Sequence, residues 1–558
     1  MLKSGINKSR HKFGKFILIV AIIFAAYYLI FSFVTETKTP QVESSTLDTI
    51  ERIQISENNY QIQNNFLQKN NSRLWELYLE GSPYEIGVVG GKLTKELIEI
   101  QEEAFVEQIN TLIPSPFYLK FLKHMIAWFN RSLDENIPVE YQQEIYGISK
   151  SVSDEYNFIA LPYERMLNYH GAHDIGHALK DLALVGCTSF GLNLDQSDSN
   201  MIIGRNFDFY INEKFAENKV VAFVKPDDGF NFMYVTWASM IGVVSGMNSS
   251  GLTVTLNAAK SDIPFKSATP ISILAREILQ YASNIEEAIN IAEKRRVFVS
   301  EQILIGSAKD NTAIVIEKSP AKMGVFKSDE NYLVSSNHFQ SEVFANDVNN
   351  LEYMKESASV YREERCIQLI NYADTLNITT AANILRNKKG LNNKDIGIGN
   401  EKAMCQIISH HAVIFMPEQL KVWVSTPPYQ LGEFICYDLN EVFSTGKIQS
   451  IDSLTIEEDV FLASGNYNSY VTYKNLSKSF KEVIQNRNQI ANIDYLLSDL
   501  FRLNPNYYKT YLLAADYYLS VNDSNNEIKY LEKALTCEFE NTVSREVISK
   551  RLKELEQK

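Results

Sequence analysis

The sequence contains little cysteine. Of its 558 residues only Cys187, Cys366, Cys405, Cys436 and Cys537 are cysteine, and no two of them form a Cys-x-x-Cys pair. Because the number is odd and the spacing is wide, a disulfide-stapled scaffold and a zinc ribbon are excluded. All of them except Cys187 are interpreted as small hydrophobic residues of the core. With 45% hydrophobic residues, the chain has ample material for such a core.

Positive charge is also scarce. Lysine and arginine together number 54, against 68 acidic residues, which gives a formal net charge of −14. A negative field of this kind repels nucleic acid, so no nucleic-acid partner is expected.

One long apolar run lies near the N-terminus. Residues 16–34 carry no formal charge and follow a basic segment at 1–15. At a rise of about 1.5 Å per residue, this run is just long enough for one membrane-spanning helix. The basic flank places segment 1–15 in the cytoplasm and the chain that follows the apolar run outside it. The sequence therefore predicts a single-pass membrane anchor at 16–34, followed by a polar linker over 35–72.

The middle of the chain alternates short apolar runs with turn residues. Strands are predicted from this pattern over 187–194, 201–209, 219–225, 232–238, 241–246, 252–257, 302–307, 311–317, 322–327, 331–335, 405–416, 419–425 and 433–437. Helical periodicity predicts helices over about 92–112, 270–283, 285–295 and 355–387. Runs of strands followed by runs of helices favour an α+β or layered αββα fold over a doubly wound parallel sheet.

Helical periodicity dominates after about residue 445. Within this tail, aromatic and small residues such as Tyr508, Tyr511 and Ala515 precede a turn at 522–523 and a second apolar face. The pattern resembles one tetratricopeptide (TPR) helix pair, and one repeat cannot bury its own face. The tail, residues 446–558, is therefore predicted either to cap the main domain as a plain hairpin or to bind a protein partner.

Several strand ends carry residues suited to chemistry. In chain order the patterns are Gly-Ser-Pro-Tyr at 81–84, Gly-Cys-Thr-Ser at 186–189, Gly-Arg-Asn-Phe-Asp at 204–208, Leu-Asn at 256–257 and Ser-Ser-Asn-His at 335–338. Taken singly, each has an ordinary interpretation. A charged pair at a strand end is often a surface ion pair, and a lone asparagine there is often a turn residue.

Taken together, these patterns resemble the cysteine group of the N-terminal nucleophile (Ntn) hydrolases. This group contains the acyl-CoA:6-aminopenicillanate acyltransferase-like enzymes and is related to the choloylglycine hydrolases. The resemblance covers residues 74–440 and implies a four-layer αββα sandwich that hydrolyses a linear C–N amide bond of a small molecule without a cofactor. Alternatives are an acyltransferase that passes the acyl group to an amine, and a non-catalytic anchored protein whose tail binds a partner.

The resemblance implies that Cys187 is the nucleophile and that its own α-amino group is the base. A thiol with a pKa of about 8.5 is mostly protonated at neutral pH, whereas an α-amino group near 8 suits general-base work. The amine becomes free only if the chain is cut between Gly186 and Cys187. That cut would divide residues 73–445 into a pro-segment at 73–186 and a core at 187–445.

By the same resemblance, four further residues complete the site. Arg205 flanks the thiolate and Asp208 orients the new amine. Asn257 and Asn337 supply the oxyanion hole, in which amide hydrogens meet the negative oxygen of the tetrahedral intermediate.

Two groups of histidines were weighed as site residues on their spacing. His170, His173 and His177 could bind zinc from one helix face, but without an HExxH order a buried polar network is favoured and no metal is predicted. His410 and His411 lie in a strand pattern, where neighbouring side chains face opposite sides. At most one of this pair is therefore predicted to enter the site.

Overall fold

The computed structural model describes residues 37–112, 115–178, 184–194, 200–210, 212–260, 267–486 and 493–557, together with separate positions between 16 and 35. Segment 1–15 lies outside the described residues.

The predicted membrane anchor at 16–34 is wrong. Within the part of the chain that the structure describes, no helix combines the length and the apolar character needed to cross a bilayer. Crossing requires about 20 residues in one continuous helix. An uncharged run in the sequence fixes composition only and does not guarantee that helix. The predicted placement of the domain outside the cytoplasm rested on this anchor and is withdrawn with it.

Two β-sheets form the centre of the fold. Their strands are β1 Ile53–Ser56, β2 Asn59–Ile62, β3 Asn65–Lys69, β4 Trp75–Gly81, β5 Leu184–Val185, β6 Thr188–Leu192, β7 Ile202–Tyr210, β8 Val220–Pro226, β9 Phe232–Thr236, β10 Ser245–Asn248, β11 Leu252–Ala258, β12 Glu301–Ser307, β13 Thr312–Lys318, β14 Met323–Phe326, β15 Tyr332–Ser335, β16 Ser409–Met416, β17 Lys421–Ser425 and β18 Phe434–Asp438. The larger sheet has the order β1-β2-β3-β4-β8-β9-β10-β11-β12-β13-β14. The smaller has the order β15-β6-β7-β16-β17-β18, with β5 against β7. Within the described residues, β4 and β8 form a parallel pair and the other strand pairs are antiparallel.

The two sheets stack face to face through a shared apolar core. Phe223 and Val315 of the larger sheet pack in one buried cluster with Val413 and Val424 of the smaller sheet. Since alternate side chains of a strand point to opposite faces, the remaining apolar residues are free to bind helices on the outside. Strands buried on both faces read as nearly continuous apolar runs, which explains why they were recognisable in the sequence.

Helices cover the outer faces of both sheets. In chain order they are α1 Pro83–Leu93, α2 Lys95–Leu112, α3 Pro116–Phe129, α4 Val139–Ser149, α5 Pro162–Ala178, α6 Glu213–Glu217, α7 Ile271–Tyr281, α8 Ile285–Lys294, α9 Val348–Glu356, α10 Ser359–Tyr372, α11 Ile378–Leu385, α12 Leu439–Thr445, α13 Val460–Ala463, α14 Asn466–Gln485, α15 Ile493–Leu503, α16 Tyr508–Ser520, α17 Ser524–Leu535 and α18 Thr542–Glu556. The apolar sides of α1, α4, α5, α7 and α8 pack on the larger sheet, and those of α10 and α11 pack on the smaller. The layers are therefore helix, sheet, sheet and helix, an α+β arrangement as predicted.

The polar linker predicted over 35–72 is not a free tether. Strands β1 to β3 lie within it and extend the larger sheet beyond β4. Ile62 and Leu67 are buried, and the chain reverses direction at Asn58 and Gln63, which both have positive φ angles. The Ser-, Asn- and Gln-rich composition concealed these strands in the sequence. Only a few apolar residues per strand are needed to anchor a hairpin at the edge of a sheet.

The helical tail docks on one loop of the main domain, residues 395–407, which we call the docking loop. Asn504 exchanges two hydrogen bonds with the backbone of Ile398, at 3.0 and 2.9 Å. A Cβ at Gly397 would lie 2.5 Å from the backbone of Tyr507, so the two chains touch here. Lys402 and Glu538 form an ion pair at 2.7 Å. The tail thus caps the domain, while the TPR resemblance and a protein partner stay predictions.

Candidate active site

Cys187 immediately precedes the hairpin β6–β7. The register pairs Thr188 with Asn206 and Ser189 with Arg205, so the start of β6 lies beside the end of β7. Cys187 is buried, and its Sγ lies 3.7 Å from Nη2 of Arg205 and 3.8 Å from the backbone oxygen of Asp208. Three residues predicted from two separate patterns are therefore brought together by the pairing of β6 with β7.

Arg205 is held in place by the larger sheet. Its guanidinium donates to the backbone oxygens of Val244, at 2.7 Å, and Leu256, and to the hydroxyl of Ser245. It also lies over the ring of Phe207, 4.3 Å from the centroid. Burial lowers the pKa of Arg205 from its ordinary value, yet a guanidinium stays charged in proteins. A surface ion pair is excluded for this arginine, because its side chain is completely buried.

Burial also controls the ionisation of the Cys187 thiol. It raises the pKa of Cys187 to about 11, although the nearby charge of Arg205 acts in the opposite direction. In the uncut chain the thiol is therefore protonated at neutral pH. A base must take this proton before Cys187 can act as a nucleophile.

The carboxylate of Asp208 points toward the chain segment that leads into β16. It accepts hydrogen bonds from the hydroxyl of Ser409 and from Nε2 of Gln406, the latter at 3.2 Å. The same Nε2 donates to the backbone oxygen of Gly186 at 3.0 Å. The backbone N–H of Gly186 donates in turn to the backbone oxygen of Asp208 at 3.2 Å. The predicted cleavage site is thus bound directly to the backbone of Asp208 and, through Gln406, to its carboxylate.

The buried position of Asp208 predicts a pH-dependent stability. Burial raises its pKa from 3.8 to about 7, so the folded chain holds this proton more tightly than the unfolded chain. The resulting stability is fully present below about pH 4 and is lost as the pH rises through 7. We expect the free energy of unfolding of uncut Cys187→Ala protein to fall more steeply between about pH 4 and 7 than that of Cys187→Ala/Asp208→Asn. Urea unfolding of both proteins measures the difference, and equal pH slopes would contradict the assignment.

Asn257 lies on β11 of the larger sheet, and Asn337 follows the end of β15 in the smaller sheet. Oδ1 of Asn257 accepts from the hydroxyl of Ser189 at 3.0 Å, and its Nδ2 donates to the backbone oxygen of Ser335 at 3.0 Å. Nδ2 of Asn337 donates to the backbone oxygen of Ala258 at 2.9 Å. Because each amide carries two hydrogens, one of them is engaged by a backbone oxygen in both residues. The oxyanion role stays a prediction that depends on the second hydrogen of each amide.

Three side chains of this site were missed in the sequence. Arg362 of α10 is buried and donates to Oδ1 of Asn337 at 2.6 Å and to the hydroxyl of Thr188 at 3.3 Å. Gln406 and Ser409 hold Asp208, as described above. None of the three belongs to a recognisable motif. Gln406 and Ser409 lie near the hairpin because β16 pairs with β7, and no local sequence pattern predicts this pairing.

The first histidine group contains one residue whose contacts are described. His170 is buried, its Nδ1 lies 2.8 Å from the backbone oxygen of Met166, and its Nε2 accepts from the backbone N–H of Ile241 at 3.0 Å. Burial lowers the pKa of His170 to about 4, so the ring is neutral. The side chains of His173 and His177 lie outside the described residues. Among the described residues, no group of three potential ligands is placed to hold a metal ion.

The second pair, His410 and His411, departs from simple alternation. A β-bulge between Ser409 and His411 shifts the register, and the two imidazoles contact each other through their Nδ1 atoms at 2.8 Å. His411 reaches the site, since its Nε2 lies 2.8 Å from the hydroxyl of Ser245. His410 packs against the ring of Phe215 instead. Burial lowers the pKa of both histidines well below the usual value.

Comparison with known proteins locates a family domain in this region. Residues 195–423 match the model of a family described as acyl-coenzyme A:6-aminopenicillanic acid acyl-transferase. The matched range begins shortly after Cys187 and contains Arg205, Asp208, Asn257 and Asn337.

Individual relatives are distant. The chain is 26% identical over 279 residues to an uncharacterized protein of Archaeoglobus fulgidus, covering 46% of this chain and 45% of that protein. It is 24% identical over 225 residues to the N-acylethanolamine-hydrolyzing acid amidase of Caenorhabditis elegans, covering 38% and 59%. The chain spans about half the length of the curated relatives it matches. A solved structure of a mutant conjugated bile acid hydrolase from Clostridium perfringens is 13% identical, with a TM-score of 0.32 over 47% of this chain and 96% of that chain.

Proposed function

Because residues 195–423 carry a domain of this acyl-transferase family, which is of the Ntn hydrolase type, we propose that the chain is a self-processing cysteine hydrolase. Its substrate is a small molecule with a linear C–N amide bond. The observation that carries the proposal is the buried contact between Sγ of Cys187 and the guanidinium of Arg205, directly after Gly186.

Self-processing comes first in this proposal. Sγ of Cys187 attacks the carbonyl carbon of Gly186, the C–N bond breaks, and the thiol proton passes to the departing nitrogen. The product is a thioester with a free amine on Cys187. Water then adds to the thioester carbon, which leaves a carboxylate on Gly186 and restores the thiol. Glycine suits the attacked position, because a Cβ there would lie 2.3 Å from Nε2 of Gln406.

Substrate hydrolysis uses the new amine. It takes the proton from Sγ of Cys187, and Arg205 stabilises the thiolate that results. The thiolate attacks the amide carbon, the substrate nitrogen leaves with a proton, and water releases the acyl group from the thioester. In this proposal Asp208 orients the amine, and the amides of Asn257 and Asn337 bind the oxyanion.

Acyl transfer is the second candidate. The description of the matched family as an acyl-transferase favours it, because the same thioester can pass its acyl group to an amine instead of water.

The proposal is tested with the purified full chain. Denaturing electrophoresis and N-terminal sequencing are expected to find two fragments, one of which begins at Cys187. The same sample is offered N-acyl amides with and without an added amine, and the ratio of free acid to new amide separates hydrolysis from transfer. A chain that stays whole and still hydrolyses amides would overturn the self-processing mechanism.

The two fragments are expected to stay together after the cut. The first supplies β4, which pairs with β8 of the second over seven residues, from Trp75 with Val220 to Gly81 with Pro226. It also supplies helices α1, α4 and α5, which cover the larger sheet. Size-exclusion chromatography in native buffer should therefore give one peak that contains both fragments, at the position of uncut Cys187→Ala. Elution of the fragments in separate peaks without denaturant would contradict this prediction.

A further inference from the structure

We propose that Gln406 is a catalytic residue of chain cleavage, in which its Nε2 amide stabilises the negative charge that forms on the oxygen of Gly186. The inference rests on the proposed function and adds an oxyanion donor that serves self-processing. It is distinct from Asn257 and Asn337, which were predicted to serve substrate turnover.

The donor already stands beside the reacting carbonyl. Nε2 of Gln406 lies 3.0 Å from the oxygen of Gly186, within the range in which a hydrogen bond stabilises a developing oxyanion. When Sγ of Cys187 adds to this carbonyl, the oxygen gains a full negative charge while the amide stays in place. Gln406 is only 3% exposed, so water competes little for the bond.

The orientation of the amide is fixed from several sides. Nε2 also donates to Oδ2 of Asp208 at 3.2 Å, and Oδ1 of that carboxylate is bound by Ser409. The oxygen of Gly186 only accepts hydrogen bonds, and so does the carboxylate of Asp208 when it is ionised, so both favour the NH₂ end of Gln406, and not its oxygen, at this position. The absence of a Cβ on Gly186 provides the space, because that atom would meet Nε2 at 2.3 Å.

The backbone beside Gln406 supplies an independent observation. Ile407 has a φ angle of 57°, a left-handed conformation that is costly for a β-branched residue. Such strain persists only where the surroundings enforce it, and it is concentrated at functional sites. Ile407 is buried in a cluster with Leu431 and Tyr429, against which Tyr470 of the tail packs. The docking loop thus holds Gln406 in a position that an unstrained chain would not adopt.

Gln406→Met is the decisive variant, because methionine has a similar length and offers no hydrogen-bond donor. Full chains are made by cell-free synthesis with a short radioactive pulse, and the loss of uncut chain is followed on denaturing gels. We expect cleavage of Gln406→Met to be about 100-fold slower than that of wild type, the usual cost of one oxyanion donor. Gln280→Met is the matched control, since this buried glutamine of α7 donates to the backbone of Asp228. We expect this control to cut at the wild-type rate.

A second variant separates chemistry from folding. Gln406→Glu keeps the shape of the side chain but donates only when protonated, so its cleavage rate relative to wild type should rise as the pH is lowered. Because the new carboxyl also faces Oδ2 of Asp208, the free energy of unfolding of Gln406→Glu is measured at each pH, and a purely structural role would make the cleavage ratio follow that stability. Two results would overturn the role of Gln406. One is that both Gln406→Met and Gln406→Glu are cut at the wild-type rate, and the other is that Gln280→Met is cut as slowly as Gln406→Met. A wild-type chain that never cuts would instead overturn the proposed function itself.

Discussion

Cys187→Ala is expected to remain one uncut chain and to hydrolyse no amide. Both reactions need the same sulfur atom, once against the carbonyl of Gly186 and once against the substrate. Loss of a catalytic nucleophile typically lowers turnover by about 10⁶-fold, so activity should fall below detection. Electrophoresis of the purified protein and an amide hydrolysis assay measure the two losses.

The matched control is Cys366→Ala. Cys366 is equally buried but lies on α10, in the outer core of the smaller sheet. It should be cut and active like wild type. Cys187→Ser is expected to cut slowly, because a hydroxyl can undergo the same acyl shift as a poorer nucleophile. A Cys187→Ala chain that is cut at Gly186, or that retains turnover, would contradict the assignment of the nucleophile.

Asp208→Asn is expected to fold but to lose turnover by roughly 10²- to 10⁴-fold, as when a carboxylate that orients a catalytic base is neutralised. The structure adds a specific reason. Nε2 of Gln406 donates to Oδ2 of Asp208, and an asparagine that keeps its oxygen toward Ser409 would place an NH₂ group against another NH₂ group. Both the amine of Cys187 and the amide of Gln406 would then be misoriented.

Turnover of Asp208→Asn is measured on protein that has been cut to completion, so that slow processing and slow hydrolysis are not confused. Asp459→Asn is the matched control, because Asp459 is largely buried and caps α13 far along the chain. It should behave like wild type. Wild-type turnover in Asp208→Asn would show that the carboxylate does not orient the base.

The sequence predicted best what lies within one hairpin. Cys187, Arg205 and Asp208 are joined by β6 and β7, so alternation and a single turn were enough to bring them together. Gln406 comes 220 residues after Gly186, and its approach depends on the bulged pairing of β16 with β7 and on the docked tail. Long-range pairing of this kind leaves no periodic trace in either segment.

The errors have a similar origin. Composition suggested a tether at 35–72 and an anchor at 16–34. Composition is an average over a segment, however, and carries no information about tertiary contacts. Ile62 and Leu67 suffice to attach a polar hairpin to the sheet edge, because the backbone supplies the hydrogen bonds. By contrast, the strands of the central core were predicted well, since burial on both faces leaves a strong apolar signal.

Because of the parallel pairing of β4 with β8, the protein is expected to fold readily before the proposed cut but not to refold readily after it. Before the cut, both strands belong to one polymer, and the effective concentration of one for the other is high. After the cut they belong to two polymers, and each alone would expose an apolar sheet edge that invites aggregation. The covalent link in the uncut precursor therefore promotes the pairing of the two strands. Once the mature protein is unfolded, its two separate fragments do not easily pair again. Its persistence would be a matter of slow unfolding rather than of reversible equilibrium.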